Sequence, residues 1–363
     1  MESFNSSFPL TRTIDISNEQ LFLFNETESP SLWNRAIWYH ESFKNAGDPR
    51  LKHLPLLSSP IPITIIILSY IYGVTVLGPQ VMKTRQPFEL KTILLVYNAL
   101  MVALSTFMFI SGGIYGWFGS YSYTCQPIDY SNSTNGVGMA YTAYIYYLSK
   151  IIELLDTVFF VLRKKFSQVT PLHVSHHTGM AVFMFVGVKF WPGGHGSFQG
   201  FANSFVHMFM YFYYFLAGMG PRFAHLLWWK KYMTQLQLAQ FGVIFLHSFQ
   251  LIFQPNCDYP RIVLYPYLSS CIYLTWMFIN FYRKEYLKRQ RNQKLLSQDE
   301  SDQQPCLISK TKDGQVQHRT DMIDLRIRKN KYSSVFKYES YEEANTDEDD
   351  SCEDDEGTSK KVL

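Results

Sequence analysis

The sequence predicts an all-α, polytopic membrane protein with seven transmembrane helices. Three observations carry that reading. Seven apolar stretches have bilayer-spanning length, the loops between them alternate in basic charge, and polar residues inside them recur at helical spacing. A mean hydropathy of −0.09 conceals this, because it averages an apolar region, 59–283, with a polar, charged tail, 284–363.

The bilayer core takes ~20 apolar residues of helix. The first candidate, 60–82, follows a segment holding Lys44, Arg50 and Lys52 and ends at Lys83-Thr84-Arg85. The second, 92–117, starts after Lys91 and runs into a loop, 119–138, without Lys or Arg. The third, 139–162, stops at Arg163-Lys164-Lys165. The fourth, 171–191, opens with Thr170 as N-cap and Pro171 at the first helical position. The fifth, 197–219, ends before Arg222, and the sixth, 232–254, follows Lys230-Lys231. The seventh, 261–282, comes after a loop, 254–260, free of Lys and Arg, and is followed by Arg283 and Lys284. Basic loops stay in the cytosol, so the N-terminus is expected on the lumenal side and the C-terminus in the cytosol. Residues 1–30 lack the continuous apolar core of a cleavable signal peptide.

Three glycosylation sequons, at Asn5, Asn25 and Asn132, all fall on the expected lumenal side. So do Cys125 and Cys257, in the loops after the second and sixth helices, where a disulfide between them would persist. The tail begins basic, from Arg283 to Lys294, and ends acidic, from Glu342 to Glu356, a pattern that reads as largely disordered. Its last residues place Lys360 and Lys361 as a dilysine address for retrieval to the endoplasmic reticulum. Three segments result: a lumenal 1–58, a membrane domain 59–283 and a cytosolic tail 284–363.

The chemistry-bearing residues lie inside the helices. His173, His176 and His177 stand at i, i+3 and i+4, on one face at the cytosolic start of the fourth helix. Titratable groups in hydrocarbon are costly and mark function. The third helix holds Lys150, Glu153, Asp156 and Thr157. At ~1.5 Å per residue, Asp156 lies ~10 Å and Lys150 ~20 Å from the cytosolic surface, too deep to snorkel. Lys150 and Glu153 suit an ion pair, while Asp156 is expected beside a box histidine, fixing its tautomer. The fifth helix adds a stripe of Asn203, His207, Tyr211 and Tyr214. The sixth adds Thr234, Gln237 and Gln240, with His247 and Ser248 further along. His195 and His225 sit in loops and read as ordinary residues. Four polar faces argue for one shared chamber. The box would suit a di-iron desaturase or hydroxylase, but too few further ligands are in reach, and no cysteine stands near to complete a zinc site. A seven-helix lipid receptor or carrier is the non-enzymatic alternative. Nothing resembles a nucleotide-binding fingerprint, and no nucleic-acid partner is implied.

The segment Lys150 to Thr157 resembles the KxxExxDT signature of the ELO family of very-long-chain fatty acid elongases. The HxxHH box at His173–His177 matches too. So do Asn203-Ser204-Phe205-Val206-His207 with Met210-Tyr211 and Tyr213-Tyr214, and Thr234, Gln235, Gln237, Gln240 and Phe241. The four motifs keep family order over about residues 30–290. Ser175, at a position often aromatic in the family, and Gly179 depart from the pattern.

The resemblance implies a multi-pass protein of the endoplasmic reticulum whose helices enclose an acyl-chain tunnel. It implies condensation of long-chain acyl-CoA with malonyl-CoA to 3-oxoacyl-CoA, CoA and CO2, with no bound cofactor and no metal. The implied partners are a 3-oxoacyl-CoA reductase, a 3-hydroxyacyl-CoA dehydratase and an enoyl-CoA reductase, and a homo-oligomer is left open. Lys164, Lys165, Lys230 and Lys231, with Arg222, would receive CoA phosphates at the cytosolic mouth. Cys271 lies far along the seventh helix, so the nucleophile is expected to be a histidine, His176 with His207 opposite. Asn203, Gln237 and Gln240 would donate to an enolate or carbonyl oxygen.

Overall fold

The computed structural model describes residues 31–283, and every described regular element is helical. Nine helices are named here: α1 Leu32–Asn45, α2 Pro60–Met82, α3 Lys91–Trp117, α4 Thr134–Ile152, α5 Leu154–Leu162, α6 Pro171–Phe190, α7 Ser197–Met219, α8 Lys230–Phe253 and α9 Arg261–Tyr282. Four of them, α2, α3, α8 and α9, are long and apolar enough to cross a bilayer by themselves. The protein is therefore an all-helical, polytopic membrane protein.

Local chemistry sets the helix ends. Ser59 accepts from the Ile61 amide and Pro60 opens α2. Ser133 accepts from Gly136 to cap α4. Each cap satisfies a backbone donor that the helix itself leaves unpaired. In the loop before α4, Asp129 accepts from Ser131 and Ser133, which holds its carboxyl below the usual range. Turns of π-helix lie within α2, at Gly73–Leu77, and at the end of α3, at Gly113–Trp117.

Two departures from the sequence reading matter. The expected third helix, 139–162, is two helices, broken at Glu153, and its first half starts at Thr134. Hydrophobic length alone does not reveal a break, because Glu153 is flanked by apolar residues on both sides. The second is α1, which the sequence reading left as plain lumenal segment. Ser31 caps it on the Asn34 amide, and Trp33, Tyr39 and Leu32 are exposed along it. Its polar residues keep it from reading as a span.

The main pairings are α3 with α7, α8 with α9, α4 with α6, and α7 with α8. The largest core joins α2, α4, α5 and α6 through Ile67, Tyr70, Tyr147, Val161 and Phe185. At one end of the bundle Cys125 and Cys257 form a disulfide, with Cα atoms 5.7 Å apart and a sequence separation of 132. The same end holds a clasp on the segment before α2. Tyr144 and Tyr147 donate to the Pro55 and Leu56 carbonyls, and Lys189 Nζ to those of Leu57 and Ser58. Arg50, one of the basic residues ahead of the first candidate span, is paired with a fully buried Asp48 at 2.6 Å.

Candidate active site

The histidine box forms at the start of α6, where Thr170 Oγ accepts from the His173 amide at 3.2 Å and Pro171 takes the first helical position. The helical spacing gathers the three rings, with His177 lying 4.3 Å from His173 and 5.5 Å from His176 between centroids. His173 packs on Phe160 of α5, and His176 faces Phe278 of α9. The box thus bridges two walls of the bundle, with His177 buried at its centre. Among the described residues, His173 Nε2 and His176 Nδ1 are buried without a hydrogen-bond partner.

A second cluster comes from α4, α7 and the break between α4 and α5. Lys150 Nζ donates to Glu153 Oε1 at 2.7 Å and to Asn203 Oδ1 at 2.8 Å. Tyr146 donates to the same Asn203 oxygen at 2.9 Å. Glu153 Oε1 also stands 3.4 Å from His207 Nδ1. All five residues are buried. A charge this far from water persists only when paired and hydrogen-bonded, and here each charge has its partner.

The structure corrects the expected role of Asp156. Its Oδ2 accepts from Tyr211 at 2.8 Å, and Tyr97 packs edge-on against Tyr211. The carboxylate that meets a histidine is Glu153, and the histidine is His207. The chain is not one continuous helix across Glu153, so a position counted along one helix does not transfer to Asp156. The Asn203 carbonyl oxygen is the acceptor for both Lys150 and Tyr146.

The remaining positions are more dispersed. Gln240 and Thr234 are buried on α8, and the Gln237 amide lies 3.5 Å from Met210 Sδ. Lys164, in a left-handed conformation (φ 56°) just after α5, is half-buried, as are Lys165 and Lys231, whereas Lys230 is exposed. These four follow α5 or begin α8, at the histidine end. Opposite Ser175, Tyr273 of α9 puts its hydroxyl 3.2 Å from the serine Oγ. Cys271 packs with Ile244 and Tyr267, among hydrophobic residues rather than histidines. Asn132 lies exposed in the loop before α4, while Asn5, Asn25, Lys360 and Lys361 fall outside the described residues.

Tyr146 links this cluster to a cavity that sequence reasoning did not locate. The cavity is partly open to the outside and mostly apolar in its lining. Tyr146 and Ser204 line one part of it, Met184 and Gly187 of α6 another, and Trp191 and Tyr259 a third. The signal for Tyr146 was available, since it precedes Lys150 by four residues and shares its helix face. Lys189, buried at the far end of α6, was also missed.

Comparison with known proteins agrees with the motif order. The family model described as ELO, the GNS1/SUR4 family, matches residues 55–294. Very long chain fatty acid elongase 7 of Drosophila melanogaster is 46% identical over 251 residues, covering 69% of this chain and 76% of its own. The rat protein of that name is 45% identical over 262 residues, 72% of this chain and 93% of its own. Human very long chain fatty acid elongase 1 is 43% identical over 269 residues, 72% and 94% respectively. With a family match over most of its described length and relatives aligned nearly end to end, the chain belongs to the ELO (GNS1/SUR4) family.

Proposed function

We propose that this enzyme of fatty acid elongation joins a long-chain acyl-CoA to malonyl-CoA, giving 3-oxoacyl-CoA, CoA and CO2. One observation carries the reading. A buried set of titratable groups, Lys150, Glu153 and His207, is joined through Asn203 and Tyr146 to an apolar cavity. Such a pairing suits chemistry on the polar end of a long apolar substrate.

In the proposed reaction, a ring nitrogen of His176 attacks the acyl carbon, with His207 opposite. The C–S bond breaks and CoA leaves as thiolate, so the acyl group is held on the imidazolium. Malonyl-CoA then loses CO2, and the bonding pair becomes its enolate. The enolate carbon forms the new C–C bond to the acyl carbon, and the C–N pair returns to His176. Glu153, anchored by Lys150, holds His207 in orientation. Gln237 and Gln240 are assigned to the oxyanion, and His173 and His177 support the reacting ring. Lys164, Lys165, Lys230 and Lys231 bind CoA phosphates, and the acyl chain lies in the cavity.

The same reading places the protein in the endoplasmic reticulum membrane with seven spans, α4 and α5 together making one. The disulfide end faces the lumen and the histidine end the cytosol. The tail carries the dilysine address, and the two reductases and the dehydratase of the cycle act on the product. The test is to incubate the protein with acyl-CoA alone and measure free CoA and protein-bound acyl mass. Both are expected from the native chain and neither from His176→Ala, while Cys271→Ala stays active. Absence of both, in a preparation that elongates once malonyl-CoA is added, overturns the covalent step. Strict dependence on oxygen or stoichiometric iron would overturn the condensation itself.

A further inference from the structure

The second histidine pair in the bundle lies far from the box. His195, in the loop between α6 and α7, stacks on His247 of α8 with centroids 3.9 Å apart and planes within 10°. His195 is 2% exposed and His247 8%. The His195 Nε2–H donates to the His247 carbonyl at 2.8 Å, and the His195 amide donates to the Gln126 carbonyl at 2.8 Å. His247 is stacked in turn on Phe198, 4.0 Å away. His195 therefore ties its loop both to α8 and to the disulfide-bearing segment that contains Cys125.

That loop needs such ties. Gly193 and Gly194 both take positive φ, +114° and +58°, which other residues adopt only with strain. A Cβ on Gly194 would meet Ile128 at 2.8 Å. Ser197 donates to the Gly194 carbonyl at 2.7 Å and accepts from the Trp117 indole at 3.1 Å. Trp191, Gly193 and Gly196 of the same loop, and Ser197 at the start of α7, line the cavity. They follow the last turn of α6, so the loop closes the cavity on the side away from the histidine box. Counted along α6, the separation from His177 to Phe190 is ~20 Å.

We propose that His195 is a positioning residue which, by its hydrogen bond to the His247 carbonyl, holds the Trp191–Ser197 loop as the floor of the cavity and so sets the longest acyl chain the enzyme builds. The proposal rests on the reading that the acyl chain occupies this cavity. Gly187 tests that reading separately. It lines the cavity in the last turn of α6, and a Cβ there would meet nothing within 4 Å. A larger side chain at this position enters free space rather than packed atoms.

The experiment uses the full chain in membranes, with malonyl-CoA and acyl-CoA starters of increasing length, and reads the distribution of product lengths rather than total yield. Gly187→Phe is expected to shorten the longest product by at least one round of elongation. His195→Phe keeps the ring stack but removes the donor. It is expected to raise the ratio of longer to shorter products several-fold, and His195→Gln, which can donate to the same carbonyl, is expected to bring the native ratio back. Ser197→Ala, which loosens the same loop from Trp117, should lengthen products too and decides the matter where His195→Phe fails to accumulate. A shift with Gly187→Phe but lower yield at unchanged lengths from the loop variants overturns the role of His195 and leaves the cavity reading standing. No shift with Gly187→Phe shows that the chain lies elsewhere, and both fall.

Discussion

A single carboxylate carries much of the site. Glu153 bonds Lys150 at 2.7 Å and faces His207 at 3.4 Å, so its charge serves two cations or donors at once. Removing one partner of a buried pair leaves the other charge stranded, at a cost of ~3–5 kcal/mol. Lys150→Met should therefore lower thermal stability sharply. Lys150→Met combined with Glu153→Leu should recover most of that loss while activity stays low, because His207 has lost its carboxylate. Thermal unfolding in detergent together with an elongation assay checks both halves. At this scale the sequence was informative where one helix supplies the geometry. The box residues meet because i, i+3 and i+4 fix their relation, and Lys150 meets Glu153 for the same reason. It was misleading where two helices meet. Whether Glu153 or Asp156 approaches a histidine depends on helix rotation, which no spacing within one helix encodes.

Elements were legible from apolar length, and their ends from the residues that cap them. Pro171 after Thr170 opens α6 as read, and α7 and α9 have the bounds that the sequence suggested. The break at Glu153 and the extra helix α1 were not legible, since both set polar residues among apolar ones without a Pro or Gly to mark them. Between elements, the Cys125–Cys257 bond ties the loop after α3 to the one after α8. Closing a loop this long restricts the unfolded chain, and such bonds typically stabilise by ~2–5 kcal/mol. Cys125→Ser with Cys257→Ser should lower the melting temperature and loosen the His195 amide, which is bonded to Gln126 next to Cys125. Differential scanning of the purified pair of proteins, native and double variant, checks this.

For the molecule as a whole, charge alternation gave an orientation that apolar length could not. Lys83, Arg163 and Lys230 follow or open helices at one end of the bundle, while the disulfide and Asn132 lie at the other. Arg50 and Lys189, two basic residues at the disulfide end, are paired or bonded inside the protein, which takes them out of that balance. Lys360 and Lys361 of the tail are proposed as an address rather than as part of the bundle. Lys360→Ala with Lys361→Ala should let part of the protein leave the endoplasmic reticulum without changing the activity of purified enzyme. Imaging of a tagged chain against markers of the endoplasmic reticulum and of later compartments reports the escape, and an unchanged location would assign retention to another signal.

The four helices apolar enough to cross a bilayer by themselves are α2, α3, α8 and α9. The helices that hold the titratable groups, α4 to α7, are all outside that set. Burying a polar group in hydrocarbon is unfavourable unless neighbours satisfy it. Along the chain, two of the apolar helices precede these four and two follow. Lys150, Glu153 and His207 are satisfied by one another and by Asn203, all from α4, α7 and the break after α4. A variant that weakens the mutual bonds of Lys150, Glu153 and His207 is therefore expected to lower the amount of protein in the membrane as well as the activity, and quantifying membrane-embedded Lys150→Met against the native chain checks this.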